Sequence, residues 1–356
     1  MSRAASVPVP AVILGGSGYV AGELLRLVLG HPQLSLAGVM SESQAGAPIS
    51  TAFPHLRAQL GERCFQGRSE IMELFGKDRL ALLSAAPHGA SAGLLAAFIT
   101  WARDRGTELT VIDVSADFRF ASAGAYEAVY KHAHGAPQLL DAFACAVPEH
   151  LPETDKPHIA HPGCFATAML LAAVPLLKLG LAGPDLFAAG ITGSTGAGRS
   201  PIATTHHPER HANLFAYQPL VHRHAPEVTG ICEQLTGQRP KLHFIPHSGP
   251  FARGIHMTVQ APLRQPAGAD ALRDALRGFY AGSEFVTVVD GMPRVKDIVG
   301  SNYAHIGVTV DAGTVAVMVV EDNLVKGAAG GALQWLNRKL GFAENAGLTA
   351  PAMGWA

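Results

Sequence analysis

Charge is scarce in this chain, and the two signs balance. Only 15% of its 356 residues are Asp, Glu, Lys or Arg, and 27 basic side chains face 28 acidic ones. A formal net charge of −1 gives no electrostatic footprint for nucleic acid or for an anionic membrane. Cysteine is equally sparse. Cys64, Cys145, Cys164 and Cys232 are far apart and form no CxxC pair, which argues against a disulfide framework and for a reducing, cytoplasmic setting. Long apolar runs are missing. The longest, Ala168 to Leu177, contains Pro175 and is too short to span a bilayer. Met1 to Pro10 lacks the charged-then-apolar pattern of an export signal. There is no internal repeat and no low-complexity segment.

The composition that remains is 48% hydrophobic with 39 glycines, enough for a sizeable core and many tight turns. The length suggests two domains. The apolar run Ala11–Leu14 ends in Gly15-Gly16-Ser17-Gly18, and Ala21, Leu24, Leu25 and Val28 then repeat at helical spacing. Gly30 and Pro32 stop that helix, and Leu34–Val39 reads as a second strand. Apolar runs at Leu80–Leu83 and Leu109–Val114 flank a helical pattern from Ala90 to Arg105. This alternation predicts an α/β fold, a Rossmann-type doubly wound parallel sheet, over the first ~150 residues. Beyond Pro157 histidine, glycine and proline crowd the chain. Alternation at Ile255-Met257-Val259, Phe285–Val289 and Val308–Val320 predicts a mixed or antiparallel sheet. The expected domains are a dinucleotide-binding unit, 1–157, completed by 324–356, and an α+β catalytic and dimerisation unit, 158–323.

Three segments carry chemistry. Gly15-x-x-Gly18, set between strand and helix, is suited to a pyrophosphate at a helix N-terminus. Ser41 and Ser43, after the second strand, can donate to a 2′-phosphate, whereas Glu42 between them has the opposing charge. Pro162-Gly163 form a tight entry to a helix that starts at Cys164, where unpaired amides and the helix dipole favour a nucleophilic thiolate. His206-His207-Pro-Glu-Arg210-His211 and His222-Arg223-His224-Ala-Pro-Glu227 concentrate imidazoles. Their spacing matches no metal motif, so no metal is expected. An acid–base role, with Glu227 as orienter and Arg223 holding an anion, and a plain polar surface loop both fit. A non-catalytic dinucleotide sensor and a zinc hydrolase are the competing readings from other classes.

Taken together, the segments GGSGYVAGELLRL at Gly15, APHGAS at Ala86, DVSADFR at Asp113, HPGCFATA at His161, TGAGR at Thr195, HRHAPE at His222, FARGI at Phe251, GSNYAHIG at Gly300 and EDNLVKGAAGGALQ at Glu321 resemble the N-acetyl-gamma-glutamyl-phosphate reductases of arginine biosynthesis. Aspartate-semialdehyde dehydrogenase is similar in plan. The resemblance implies NADPH-dependent reduction of an acyl phosphate to an aldehyde through a thioester on Cys164, in a homo-oligomer, dimer or tetramer. It implies His222 as the acid–base group, with His224 as the less favoured choice and Glu227 orienting the pair. Arg119, Arg223, His224, Arg253 and Gly254 would bind substrate. Gly15, Ser17, Gly18, Tyr19, Val20, Ser41, Ser43, Pro87, His88, Gly89, Gly196, Gly198 and Asn323 would hold NADP. The chain departs from the family pattern at His161, at Phe165-Ala166, and at Glu42, where an Arg is usual nearby. The run HHPER from His206 is similar to the related reductases of lysine synthesis, which act on an aminoadipyl phosphate often tethered to a small acidic carrier protein. The substrate alternative stays open at this level.

Overall fold

The computed structural model describes residues 7–76 and 78–354; Met1–Ser6, part of the segment read above for an export signal, lie outside them. The chain forms two compact units. The first takes the described residues up to Ala144, with Asp155–His161 and Ala332–Thr349. The second takes Cys145–Thr154, Pro162–Gly331 and the described residues from Ala350.

In the first unit, β1 (Val9–Leu14), β2 (Leu34–Met40), β3 (Arg79–Ser84), β4 (Glu108–Asp113), β5 (Phe143–Cys145) and β6 (His158–Ala160) form one sheet in the order β2-β1-β3-β4-β6-β5. The pairs β1–β2, β1–β3, β3–β4 and β4–β6 are parallel. Ala11 to Leu14 are fully buried, as expected for a parallel sheet covered on both faces. The helices Tyr19–Leu29 and Ser91–Asp104 supply crossovers. The order reverses direction between β1 and β3, and the crevice beyond the carboxyl ends of such strands is where ligands bind in this architecture.

In the second unit, β7 (Asp185–Thr192), β8 (Phe215–Ala216), β9 (Lys241–Ser248), β10 (Ile255–Pro262), β11 (Val286–Val288), β12 (Ala304–Asp311) and β13 (Thr314–Glu321) give a mixed sheet, β11-β12-β13-β10-β7-β9-β8. The single strand expected over 308–320 is a hairpin. Ala312 (φ 45°) and Gly313 (φ 78°) make the left-handed two-residue turn that matches strand twist, and β12 and β13 pair antiparallel.

The Cys164–Lys178 helix is buried from Phe165 to Leu177, consistent with a segment that is apolar all round. Pro175 lies inside it and has no amide to give Leu171. The Tyr280 hydroxyl donates to the Leu171 carbonyl instead, at 2.7 Å, and His150 Nε2 lies 2.9 Å from the same hydroxyl.

The unit boundaries differ from the expected 157 and 324, for local reasons. His158–Ala160 is a strand of the first sheet. Glu149 lies in the second unit, where it is ion-paired with Lys326. Leu324 and Val325 donate to the Asp322 carboxylate, which keeps them in the second unit until the crossover after Gly331. The Met353 amide donates to Val299, which returns the tail to that unit.

Candidate active site and coenzyme loops

In the first unit, the loops at the carboxyl ends of the strands carry the expected coenzyme residues. Gly15 has φ 80°, and any Cβ there would overlap the Ala85 backbone. Glycine at position 15 therefore lets the loop after β1 approach the loop after β3 this closely. Gly18 caps the Tyr19–Leu29 helix with no side-chain bond, and a Cβ on it would meet nothing within 4 Å. An open helix N-terminus of this kind fits a pyrophosphate.

The second loop, Pro87-His88-Gly89, is held from below. Asp117 is fully buried and accepts from the Gly89 amide at 2.8 Å and the Ala92 amide at 2.9 Å. His88 Nδ1 accepts from the Ala116 amide at 3.0 Å. Asp113 accepts from the Ser91 and Ser115 hydroxyls, and burial pushes its carboxyl up to about 6. After β2, Ser41 is buried while Glu42 and Ser43 are exposed. Glu42 Oε1 accepts from the Arg68 amide at 2.9 Å. Arg119 also belongs to this unit, is buried, and donates to the Val114 carbonyl at 2.6 Å.

The second unit brings Cys164, His222, His224 and Glu227 together. Gly163, in extended conformation, caps the helix at whose first position Cys164 stands. The Gly163 amide donates to Glu227 Oε1 at 2.7 Å, so a carboxylate 64 residues away fixes the turn that presents the cysteine. Phe165, the next side chain, lies edge-on to His222 and His224, with ring centroids at 5.9 and 6.3 Å. The two imidazoles are 4.8 Å apart, and His222 Nδ1 accepts from the His224 amide at 3.3 Å. Burial, followed by the Arg223 charge, lowers His222 to about 4, so its ring is neutral at neutral pH. Arg223 itself is exposed. Tyr217 packs on His222 at 5.6 Å, and burial and the Cys164 sulfur hold its phenol well above the ordinary range.

A second cluster surrounds Asp322, which is fully buried. It takes both forks of Arg253 at 3.0 Å and the amides of Gly300, Leu324 and Val325 at 2.7, 2.9 and 3.0 Å. The Asn323 amide oxygen accepts from Gly254 N–H at 2.7 Å, and its nitrogen donates to the Thr195 hydroxyl at 3.0 Å. Asn323 thus ties the Arg253-Gly254 turn to the 195–198 glycine turn, where Gly198 has φ 86°. Gly196, Gly198 and Asn323 belong to the second unit, unlike the other expected coenzyme residues. Among the described residues, no group of three or more His, Cys, Asp or Glu is arranged to hold a metal.

Tyr217, Glu149, Glu321, Asp322 and Lys326 were not singled out from sequence. The last three carried a signal, because they are charges inside the otherwise apolar stretch from Val315 to Ala329.

Two family models cover the chain. Residues 10–161 match the semialdehyde dehydrogenase NAD binding domain, and residues 164–323 match the semialdehyde dehydrogenase dimerisation domain. The chain is 38% identical over 347 residues to the [LysW]-L-2-aminoadipate 6-phosphate reductase of Deinococcus radiodurans, covering 94% of this chain and 95% of that one. It is 36% identical over 345 residues to the N-acetyl-gamma-glutamyl-phosphate reductase of Methanopyrus kandleri, with 95% and 97% covered. Aspartate semialdehyde dehydrogenase II of Vibrio cholerae superposes with a TM-score of 0.68 at 17% identity, with 94% and 98% covered. The chain belongs to the semialdehyde dehydrogenase family, a family of oxidoreductases whose first domain takes a nicotinamide dinucleotide. No helix among the described residues is long and apolar enough to cross a membrane.

Proposed function

We propose that this enzyme reduces N-acetyl-gamma-glutamyl phosphate to N-acetylglutamate 5-semialdehyde with release of phosphate, using NADPH, in the cytoplasm and as a homo-oligomer. The observation that carries the chemistry is Cys164 at the first position of a buried helix, with two imidazoles against the adjoining side chain. The curated relatives named as reductases of that phosphate support the substrate.

Cys164 attacks the acyl carbonyl as a thiolate. The first-turn amides of its helix have no intrahelical acceptor and can stabilise the oxyanion. Phosphate leaves and a thioester remains on Cys164. Gly15, Ser17, Gly18, Tyr19, Val20, Pro87, His88 and Gly89 would hold the coenzyme, which when bound would supply the hydride equivalent for the thioester carbonyl. His222 is neutral and suited to hold a proton at the substrate oxygen, while Glu227 keeps the Cys164 turn in place. Arg253, already oriented by Asp322, and Arg223 are the candidate anion partners of the substrate, and Arg119 is a further one in the first unit. Ser41 and Ser43 are the candidate partners of the NADP 2′-phosphate. Glu42, whose Oε1 accepts from the Arg68 backbone amide, opposes it.

The second reading is reduction of an aminoadipyl phosphate, with the substrate presented by a small acidic carrier protein. The 38% identity to the Deinococcus enzyme favours it. The test is the phosphate-dependent reaction run in reverse on N-acetylglutamate semialdehyde and on its aminoadipate homologue. Higher kcat/KM for the first supports the main reading, and the reverse ranking replaces it with the second. Turnover surviving in Cys164→Ser overturns the mechanism for both.

A further inference from the structure

Glu321 ends β13 beside the cysteine. Its side chain is fully buried, and neither carboxyl oxygen has a hydrogen-bond partner. Its position relative to Cys164 is fixed by Gly327. A Cβ built there would stand 2.8 Å from both Cys164 Cβ and Glu321 Oε1, so those two atoms are no more than twice that distance apart. The titratable and charged groups facing Glu321 are Cys164, Lys326, Glu149 and Asp322. Lys326 is committed to Glu149 at 2.6 Å, and Asp322 to Arg253 at 3.0 Å. The charge of Lys326 also reaches Glu321, but neither Glu321 oxygen is hydrogen-bonded to it.

We propose that Glu321 and Cys164 form a coupled acid pair that holds a single proton, with Glu321 as the acceptor of the thiol proton. The inference rests on Cys164 being the nucleophile. In the step, the Cys164 S–H bond breaks, its electron pair stays on sulfur, and an O–H bond forms on Glu321. The pair keeps one negative charge throughout, now on sulfur. His222 is a poor acceptor for that proton, because burial has lowered its basicity to about 4. Burial works in the opposite sense on Glu321, holding its carboxyl well above the usual range, so the carboxyl retains the proton while sulfur attacks. A buried carboxylate without a hydrogen-bond partner costs far more than the neutral acid, which favours moving the thiol proton onto Glu321. Glu321 is a positioning residue in this scheme: it acts through the charge on Cys164 and does not touch the substrate.

The experiment follows alkylation of Cys164 by iodoacetamide against pH, in the full-length wild type and in Glu321→Gln, each checked for coenzyme binding. A coupled pair titrates in two macroscopic steps. The alkylation rate of the wild type is expected to rise in two steps with pH, whereas Glu321→Gln is expected to rise in one, which lies below the second step of the wild type. A pH profile in Glu321→Gln identical to that of the wild type, with one step or with two, overturns the proposal. If that variant does not fold, the wild type still decides through infrared difference spectra on alkylation. A protonated-carboxyl carbonyl band that shifts supports the pair, and no change in that region overturns it. Alkylation is read without turnover, so failure here leaves the nucleophile assignment standing. Turnover in Cys164→Ser would instead remove that assignment.

Discussion

Replacing Glu227 by alanine leaves the Gly163 amide without its acceptor in a fully enclosed place, since Glu227 is 1% exposed and the bond is 2.7 Å long. A buried donor stripped of its partner costs about 1–3 kcal/mol, toward the upper end where the lost acceptor was charged. Part of that appears as stability, roughly 2–4 °C of Tm per kcal/mol for a large domain. The rest appears as misplacement of the first helical turn, because Gly163 is the residue whose conformation starts the helix at Cys164. The second-order rate of Cys164 alkylation should therefore fall about tenfold, since ~1.4 kcal/mol corresponds to a factor of ten. Glu227→Gln retains an acceptor oxygen and should recover most of the rate. Differential scanning fluorimetry and stopped-flow alkylation on the same preparations separate the two effects. Alkylation at the wild-type rate in Glu227→Ala would show that the carboxylate does not set the cysteine turn, and an equal defect in Glu227→Gln would show that charge, not the hydrogen bond, is what matters.

Gly327→Ala places a methyl group 2.8 Å from Cys164 Cβ and Glu321 Oε1, which costs roughly 1–3 kcal/mol of overpacking. Tm and alkylation rate should both drop, and wild-type values of both would contradict the packing described. Burial lowers His150, His158 and His222 to about 4 each, whereas the unfolded imidazole titrates near ~6.5. Between those pH values the unfolded chain binds protons that the folded chain refuses. Stability should therefore fall as pH drops from ~6.5 toward 4, less steeply than three imidazoles alone would give because folded Asp113, raised to about 6, takes up a proton in the same window, and a Tm that rises on acidification would refute it. For the coenzyme, kcat/KM should favour NADPH over NADH, and Glu42→Ala should widen the preference; a preference for NADH would mean that Glu42 serves the ribose hydroxyls.

The first sheet was legible because a parallel sheet buried on both faces needs continuous apolar strands, and Ala11–Leu14 and Leu80–Leu83 are such runs. β7 and β9 went unread for the opposite reason. Alternate residues of β7 are exposed, but its inward positions include small residues, and in β9 histidine and proline interrupt the apolar signal. The hairpin of β12 and β13 was read as one strand because its turn is only Ala312-Gly313: Asp311 precedes it, but the first central position carries Ala rather than the Asn or Asp that marks such turns.

The candidate site divides in the same way. Cys164 was legible because the signal is local: proline, glycine, then a helix. The Glu227 bond to Gly163 spans 64 residues, and nothing near either end announces it. Short-range spacing suggested that Glu227 serves the imidazoles, and the Gly163 bond is a further role that spacing does not reveal. The stretch from Val315 to Ala329 shows how far sequence reaches. Glu321, Asp322 and Lys326 interrupt apolar residues, and a charge forced into a core must be paired or neutralised. That argument predicts partners without naming them. Folding supplies Arg253 for Asp322 and Glu149 for Lys326, drawn from 69 and 177 residues away. Glu321 is left only the charge of Lys326, which is already bound to Glu149, so a proton taken up by Glu321 is favoured, and that acceptor stands beside the residue that must lose one.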